Sequence, residues 1–280
     1  MRVSQKARMN RMFTHGKCLD VAIDHGVCNE PGFLVGLEDM ASVMNTLIAA
    51  GPDAIQCAYG QADLLQSRAE KDKPALVMRI DMGNPYNDRR HRVMWSMLQN
   101  ADNPIIGALE MDAAAVVVNL FMLPDEPDLF RQCVENISRV REACHRYGMP
   151  LMIEPLVMLP NEQRGGYQVD GDAEKIVTLV RLASEMGADI IKADPTENPE
   201  DFHKVVETAR VPVLVRGGGK EDLRNVFNKS AALMAQGASG MVYGRNIYQH
   251  DNPRAVVAAL MAMIHKGASG EEAWEIYHNA

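Results

Sequence analysis

A lysine stands at the end of a short apolar segment in the sequence GADIIKADPTENP, residues 187–199. Two isoleucines before Lys192 are typical of a buried strand, and an Asp-Pro pair soon after it ends regular structure. Lysine is almost never fully buried without a partner. An amine whose pKa is lowered by burial or by a nearby cation can attack a ketone and form a Schiff base. The pattern therefore predicts that Lys192 is either a covalent catalyst or half of a structural ion pair.

Two carboxylates in other apolar segments, Asp24 and Glu154, are candidates for proton transfer. Asp24 ends the segment CLDVAID (18–24) and is followed by His25, and Glu154 lies in MPLMIEPL (149–156). Schiff-base chemistry requires proton transfer at the carbinolamine and at the substrate hydroxyl. Each carboxylate is also compatible with a loop cap or with an ion pair to an arginine.

Two glycine-rich motifs, RGGG (216–219) and YGRN (243–246), are candidates for binding an anion. Consecutive glycines allow backbone amides to converge on a phosphate, and Arg245 adds positive charge. The same glycines would also suit tight turns. The presence of two such motifs favours a phosphate site over turns alone.

The elements that must position these residues alternate between strands and helices. Short apolar segments predict strands over 18–24, 53–60, 75–81, 113–121, 149–156, 188–193, 211–219 and 239–244. Apolar residues at helical spacing predict helices over 37–51, 128–148, 171–187, 201–209, 221–237 and 253–267. About eight βα units predict one (β/α)8 TIM barrel domain over residues 1–280, with a short helix at each end. A doubly wound open sheet is less favoured, because its phosphate-binding glycines would follow the first strand.

A TIM barrel performs its chemistry at the C-terminal ends of its strands. Nearly every predicted strand ends in polar residues, and these are Asp24 with His25, Gln56 with Tyr59, Asp81, Asn119, Glu154, Lys192, Arg216 and Arg245. The RGGG and YGRN motifs follow the seventh and eighth strands, where barrels commonly bind phosphate. The fold therefore gathers the candidate residues at one mouth.

Charge and composition exclude several kinds of function. A net charge of -8 argues against nucleic acid or an anionic membrane as the main partner. No segment has the length and apolar character of a signal peptide or a membrane span. The five cysteines show no zinc or redox spacing, and their odd number favours a reducing compartment, so a cytoplasmic location is expected. The histidines show no ligand spacing, so no metal is expected.

Four motifs together resemble class I aldolases of the archaeal fructose-bisphosphate aldolase (DhnA) type. They are DHG (24–26), GADIIK (187–192), VPVLVRGGGK (211–220) and GMVYGRNIYQ (240–249), and the resemblance covers most of the chain in order. The same group includes an autoinducer phosphate thiolase and aminosugar-like heptulosonate synthases.

The resemblance implies a (β/α)8 barrel with a Schiff-base lysine at Lys192 and with no metal or other cofactor. It implies substrate contacts at Asp24 and His25. It also implies phosphate binding through Arg216, Gly217, Gly218, Gly244 and Arg245. Many such enzymes assemble into rings or larger homo-oligomers, so a homo-oligomer is expected.

The chain departs from the archaeal enzymes at two places. Those enzymes carry a Tyr-Pro-Arg-Gly stretch after the fifth strand, whose tyrosine donates a proton, whereas this chain has MIEPLVMLP (152–160) without tyrosine. The Ile-Glu-Pro segment is similar to tagatose-bisphosphate and sulfofructose-phosphate aldolases, which implies Glu154 as the acid/base. Arg216 stands where the archaeal group has a small residue, which suggests a further anionic group on the substrate.

These patterns predict a metal-independent class I aldolase that acts on a phosphorylated ketose or a related keto acid. Two alternatives stay open: a thiolase on the same scaffold, which would need a thiol acceptor such as coenzyme A, and a barrel that binds sugar phosphates without catalysis. The expected partner is a small phosphorylated molecule, with no nucleic acid and no membrane.

Overall fold

Eight parallel strands close into a barrel in the structure, which is a computed structural model that describes residues 2–86, 93–162 and 166–280. The barrel strands are β1 (Cys18–Ala22), β2 (Ala54–Ala58), β3 (Ala75–Arg79), β6 (Ala115–Met122), β7 (Leu151–Pro160), β9 (Ile190–Ala193), β10 (Val213–Arg216) and β11 (Gly240–Tyr243). Each strand pairs in parallel with the next, and β11 returns to pair with β1. This closed order confirms the predicted (β/α)8 TIM barrel and rules out the open sheet.

Three short strands lie outside the barrel. They are β4 (Asp81–Gly83), which pairs antiparallel with β5 (Ser96–Leu98), and β8 (Tyr167–Val169), which pairs antiparallel with the end of β7. The single strand predicted over 75–81 is therefore divided. Because β3 ends at Arg79, that residue, and not Asp81, is the last of the barrel strand.

Helices follow the strands and pack around the barrel. They are α1 (Val3–Met12), α2 (Met40–Ala50), α3 (Ala62–Gln66), α4 (Ile106–Glu110), α5 (Pro127–Tyr147), α6 (Ala173–Glu185), α7 (Phe202–Ala209), α8 (Leu223–Ala235), α9 (Arg245–Tyr248), α10 (Pro253–Lys266) and α11 (Gly270–Asn279). Short 3-10 turns cover His25–Cys28, Pro31–Phe33, Tyr59–Gln61 and Pro199–Asp201. In the part of the chain that the structure describes, no helix is long and apolar enough to cross a membrane.

The longest helix, α5, illustrates why the sequence forms these elements. Its buried side chains recur every three or four residues and so form one apolar stripe: Leu129, Cys133, Ile137, Val140 and Cys144. A proline at its first position suits the start of a helix, and Gly148 ends it in the left-handed conformation with φ of 64°. The stripe packs α5 against the barrel.

Apolar side chains fill the barrel interior and, separately, the layer between the strands and the helices. Met9 and Met12 of α1 belong to the interior cluster, together with Cys18 and Ala54. Those two residues begin β1 and β2, so α1 closes the N-terminal end of the barrel. The opposite, C-terminal end is left for polar groups.

Gly240 lies where the last barrel strand meets the first. It is opposite Cys18 in the register of β11 and β1, and its φ is 140°, a conformation that other residues rarely adopt. A Cβ at this position would overlap the carbonyl oxygen of Cys18. Closure of the barrel therefore requires glycine here.

We expect Gly240→Ala to lower the free energy of unfolding by more than about 3 kcal/mol, because both the backbone angle and the contact with β1 oppose a methyl group. Urea denaturation followed by circular dichroism measures the change. Gly60→Ala is a matched control, since a Cβ there meets nothing within 4 Å. A loss for Gly240→Ala no larger than that of the control would contradict the requirement for glycine.

Candidate active site

Lys192 lies near the C-terminal end of β9 and is only 4% exposed. Its Nζ lies 3.1 Å from Oε2 of Glu154, and it donates to Oε1 of Gln56 at 3.3 Å. Glu154 belongs to β7, which is the neighbouring strand. The amine is therefore ion-paired with a carboxylate that is close enough to accept its proton.

Arg79, the last residue of β3, lies between the two candidate carboxylates. Its Nε donates to Oδ2 of Asp24 at 2.8 Å, and its Nη2 donates to Oε2 of Glu154. Its Nη1 donates to Oδ1 of Asp81 at 3.1 Å. Arg79 is not among the residues predicted from the sequence. Side chains two positions apart on a strand point to the same side, and Val77 faces the barrel interior, so the spacing could have placed the charge of Arg79 inside the barrel. One guanidinium thus holds carboxylates from three strands.

The surrounding cations keep Asp24 and Glu154 ionised. Burial raises the pKa of Asp24, but the charges of Arg79 and Lys192 outweigh burial and hold this pKa well below its usual range. Burial likewise opposes ionisation of Glu154, and Lys192, Arg79 and Arg216 together lower its pKa to about 2. At neutral pH Glu154 is therefore a carboxylate that accepts protons.

The other predicted strand-end residues have different surroundings. Gln56 donates to Oδ2 of Asp24 at 2.6 Å, and Asn119 lines the pocket. Asp81 is fully buried and accepts from the backbone and side-chain nitrogens of Asn119 at 2.7 and 3.1 Å, so it supports Arg79 and does not face the pocket. Tyr59 is 44% exposed and lies outside the pocket.

Arg216, the last residue of β10, is held by three acceptors. Its Nε lies 3.0 Å from Oε1 of Glu154, and its Nη1 donates to Oδ1 of Asp194 at 2.7 Å. Its Nη2 donates to the hydroxyl of Tyr86 at 2.8 Å. The sequence suggests that Arg216 meets an additional anion of the substrate. In the structure each of its nitrogens has one protein acceptor, and because Nη1 and Nη2 each carry a second hydrogen, contact with an additional anion stays a prediction.

The three glycines after β10 differ in what their amides do. The amide of Gly217 donates to the carbonyl of Val242 at 2.9 Å and is therefore engaged within the barrel. For the amides of Gly218 and Gly219, the described residues offer no acceptor within hydrogen-bond distance. The side chain of Asp222 accepts from the first amides of α8 and so occupies that helix N-terminus. The donors that RGGG offers to an anion are therefore the amides of Gly218 and Gly219.

His25 and Arg245 form the same side of the pocket. The His25 ring lies edge-on to Phe33, with centroids 5.8 Å apart, and the guanidinium carbon of Arg245 lies 4.3 Å from the centre of the Phe33 ring. Gly244 permits this approach, because a Cβ there would lie 2.5 Å from Cε1 of His25. Burial, reinforced by nearby cations, lowers the pKa of His25 to about 4, so the ring is neutral.

Two polar atoms on this side of the pocket are unsatisfied. Nδ1 of His25 and Nε of Arg245 are buried, and neither has a hydrogen-bond partner among the described residues. Buried polar atoms nearly always have partners in folded proteins. Beside the unpaired amides of Gly218 and Gly219, they indicate a place that a polar ligand would complete.

A small inner pocket and a wider cavity meet at this site. The inner pocket, which includes Lys192 and Glu154, has a volume of about 50 Å³, and the adjoining cavity has a volume of about 460 Å³. The residues that line both are Phe33, Tyr86, Arg216, Gly218 and Arg245. A substrate can therefore place one carbon beside Lys192 while the remainder lies further out. Across residues 2–86, 93–162 and 166–280, no three or more His, Cys, Asp or Glu side chains form a group that could hold a metal ion.

Asp20 lies one layer deeper in the barrel and is not among the residues predicted from the sequence. It is fully buried opposite Ala54 of β2 and Val242 of β11, and within the described chain neither carboxylate oxygen has a hydrogen-bond partner. Burial raises the pKa of Asp20 to about 8, against the opposing charges of Lys192 and Arg79. Asp20 is therefore a neutral carboxylic acid at pH 7.

Known proteins match nearly the whole chain. A family model described as DeoC/LacD family aldolase matches residues 18–250. An uncharacterized aldolase of Saccharolobus solfataricus is 31% identical over 276 residues, which cover 98% of this chain and 99% of that protein. A 3-hydroxy-5-phosphonooxypentane-2,4-dione thiolase of Klebsiella pneumoniae is 28% identical over 281 residues, which cover 97% of this chain and 85% of that protein.

A solved structure has the same fold. The crystal structure of an archaeal fructose 1,6-bisphosphate aldolase superposes with a TM-score of 0.74 at 23% identity, and the match covers 94% of this chain and 100% of that one. The family match confirms the resemblance to aldolases that the four sequence motifs indicate, and the structural likeness confirms the barrel fold.

We expect Asp20→Asn to change the pH dependence of stability. In the folded state Asp20 keeps its proton up to a pH of about 8, whereas the unfolded chain releases it at about pH 4. Between these values the folded state binds the extra proton, so ionisation of Asp20 makes the free energy of unfolding fall as the pH rises.

Between about pH 5 and pH 8, the wild type should lose roughly 2–5 kcal/mol more stability than Asp20→Asn. Urea denaturation at a series of pH values measures the difference. Asp112→Asn is the matched control, because the Asp112 side chain is 72% exposed and should leave the wild-type profile unchanged. Parallel profiles for the wild type and Asp20→Asn would contradict a protonated Asp20.

Proposed function

The chain belongs to the DeoC/LacD family of aldolases, and we propose that it is a metal-independent class I aldolase whose Lys192 forms a Schiff base with a phosphorylated ketose or keto acid. The observation that carries this proposal is the buried amine of Lys192 at a barrel strand end, 3.1 Å from the ionised carboxylate of Glu154. A covalent amine catalyst needs a nearby base to become neutral, and Glu154 supplies that base.

The first steps follow from this contact. Glu154 accepts a proton from Lys192, and the neutral amine attacks the substrate carbonyl carbon. The carbonyl oxygen takes up the proton that the attacking nitrogen releases, which gives a neutral carbinolamine. Glu154 then returns a proton to the departing hydroxyl, water leaves, and an iminium forms. Because Arg79 and Arg216 keep the pKa of Glu154 low, this carboxyl releases its proton readily.

The iminium replaces a metal ion as the electron sink. The hydroxyl on the far carbon of the adjacent carbon–carbon bond gives up its proton to a base. The electron pair of that bond moves towards the iminium nitrogen, the bond breaks, and an aldehyde departs while an enamine stays on Lys192. Protonation of the enamine carbon and addition of water then release the second product and restore the amine. Run in the opposite direction, the same steps form the carbon–carbon bond.

The unsatisfied donors on the opposite side of the pocket support a phosphorylated substrate. The amides of Gly218 and Gly219 and the Nε of Arg245 are hydrogen-bond donors without a partner among the described residues, and His25 lies beside them. Backbone amides and an arginine are typical phosphate ligands. We assign the phosphate to this side and the reacting carbonyl to Lys192. A homo-oligomer and a cytoplasmic location stay predictions.

A thiolase is the second candidate, and the Klebsiella pneumoniae relative named as a thiolase favours it. Such an enzyme would transfer an acyl group to a thiol such as coenzyme A, whereas an aldolase releases an aldehyde. Product analysis with and without coenzyme A separates the two reactions.

We expect Lys192→Ala and Lys192→Arg to abolish turnover while leaving the fold intact, because arginine cannot give up its proton to become a nucleophile. Borohydride reduction in the presence of dihydroxyacetone phosphate should leave a covalent adduct on Lys192 of the wild type, detected as an increase in protein mass. Neither variant should gain this adduct. Lys17→Arg is the control, since Lys17 precedes β1 at the opposite end of the barrel.

An adduct on a different lysine would contradict the proposed mechanism. The absence of any adduct across a panel of ketose phosphates and keto acids would favour the barrel that binds without catalysis.

We expect Glu154→Gln to lower turnover by roughly 10²–10⁴, the usual contribution of a positioned acid/base. The amide keeps the volume but cannot move protons, so the adduct with Lys192 should form slowly and accumulate. Steady-state kinetics and intact-protein mass spectrometry measure the two effects, and thermal unfolding checks the fold. Exposed Glu110→Gln is the control. Near-normal turnover in Glu154→Gln would transfer the acid/base role to Asp24 or to Tyr167, and Glu154 would then be a structural partner of Lys192.

A further inference from the structure

Tyr86 reaches the active site from the segment that follows β4. Its ring lies edge-on to Phe33 and Phe121, with centroid distances of 5.1 and 6.5 Å. Its hydroxyl accepts a hydrogen bond from Nη2 of Arg216 at 2.8 Å. Tyr86 lines both the inner pocket and the wider cavity. The phenol is therefore held by packing and by one donor at the junction of the two spaces.

The hydroxyl proton of Tyr86 is available to a ligand. An arginine nitrogen only donates, so the Tyr86 oxygen is the acceptor in that contact and its own proton needs another partner. Over the described ranges 2–86, 93–162 and 166–280, this hydroxyl makes no hydrogen bond in which it is the donor. Burial raises the pKa of the phenol well above its usual value, despite the charge of Arg216, so the proton stays in place at neutral pH.

Arg216 fixes Tyr86 relative to the groups around the amine. The same planar guanidinium contacts Oε1 of Glu154 through Nε at 3.0 Å, and Oε2 of Glu154 lies 3.1 Å from Nζ of Lys192. The contacts therefore run from Lys192 through Glu154 and Arg216 to Tyr86. Glu154 lies beside Nζ of Lys192. Tyr86 is connected to Glu154 through Arg216 and lies where the inner pocket meets the wider cavity.

We propose that Tyr86 is a catalytic residue that donates its hydroxyl proton to the oxygen of the aldehyde partner, an inference that rests on the proposed aldolase function. When the carbon–carbon bond forms, the enamine electron pair attacks the aldehyde carbon, and the carbonyl π pair moves onto the aldehyde oxygen. That oxygen takes the Tyr86 proton and becomes the product hydroxyl. Arg216 stabilises the phenolate until solvent water returns a proton, and cleavage follows the reverse order.

The test uses Tyr86→Phe, which removes the hydroxyl and keeps the ring between Phe33 and Phe121. With dihydroxyacetone phosphate alone, the yield of the borohydride-trapped adduct and the rate of α-hydrogen exchange in D2O should stay within about threefold of the wild-type values. Both depend on the iminium at Lys192 and not on the aldehyde oxygen, so neither requires the Tyr86 hydroxyl. With glyceraldehyde 3-phosphate added, carbon–carbon bond formation should fall by roughly 10²–10³. Mass spectrometry of the sugar product measures that rate.

Tyr147→Phe is the matched control, because Tyr147 is the last residue of α5, is 53% exposed and lines neither the inner pocket nor the wider cavity. This variant should keep both rates. Unchanged bond formation in Tyr86→Phe would overturn the inference and leave the aldolase function standing. An equal loss of exchange and bond formation would also overturn it, since the hydroxyl would then act at the carbon–hydrogen step or on the structure. If the wild type gives no adduct with dihydroxyacetone phosphate or with any other member of the panel of ketose phosphates and keto acids, the proposed function fails and this inference fails with it.

Discussion

The buried guanidinium of Arg79 is the group on which the active site depends. It is 4% exposed and contacts Asp24, Asp81 and Glu154, which come from three different strands. Leaving one member of a buried ion pair without its partner typically costs about 3–5 kcal/mol, and here one cation serves three carboxylates. Arg79 therefore fixes the segment after β1, the start of β4 and the middle of β7 relative to one another. That constraint allows a lysine to be buried beside an ionised glutamate.

Glu154 connects the two halves of the charge network. One of its oxygens meets Arg79 and Lys192, and the other meets Arg216. A proton that moves from Lys192 to Glu154 neutralises both groups, while the two arginines keep their charges. In the proposed mechanism, Glu154 would hold this proton only briefly, because the two arginines favour its ionised form. The neutral Asp20 beneath adds no charge that would oppose this exchange.

The barrel, its helices and the position of Lys192 follow from signals that are local in the sequence, namely apolar spacing and polar residues at strand ends. Arg79 and Asp20 are less visible, because their roles depend on which side of a strand faces inward and on which distant strand lies opposite. The position of Tyr86 in the site depends on the path of the chain after β4, and no rule of residue spacing predicts that path. The RGGG motif predicts an anion site, yet only the tertiary hydrogen bond of Gly217 reveals that its three amides differ.

The inner pocket and the adjoining cavity share one wall but differ in the residues that form the rest of their lining. Lys192, Glu154 and Arg79 belong to barrel strands, whereas the wider cavity takes Glu30, Asn161 and Gln168 from segments outside the barrel strands. Replacing a side chain in those outer segments leaves every ion pair around Lys192 in place. Substitutions in these outer segments would therefore change which molecules fit the wider cavity while the ion pairs around Lys192 stay the same.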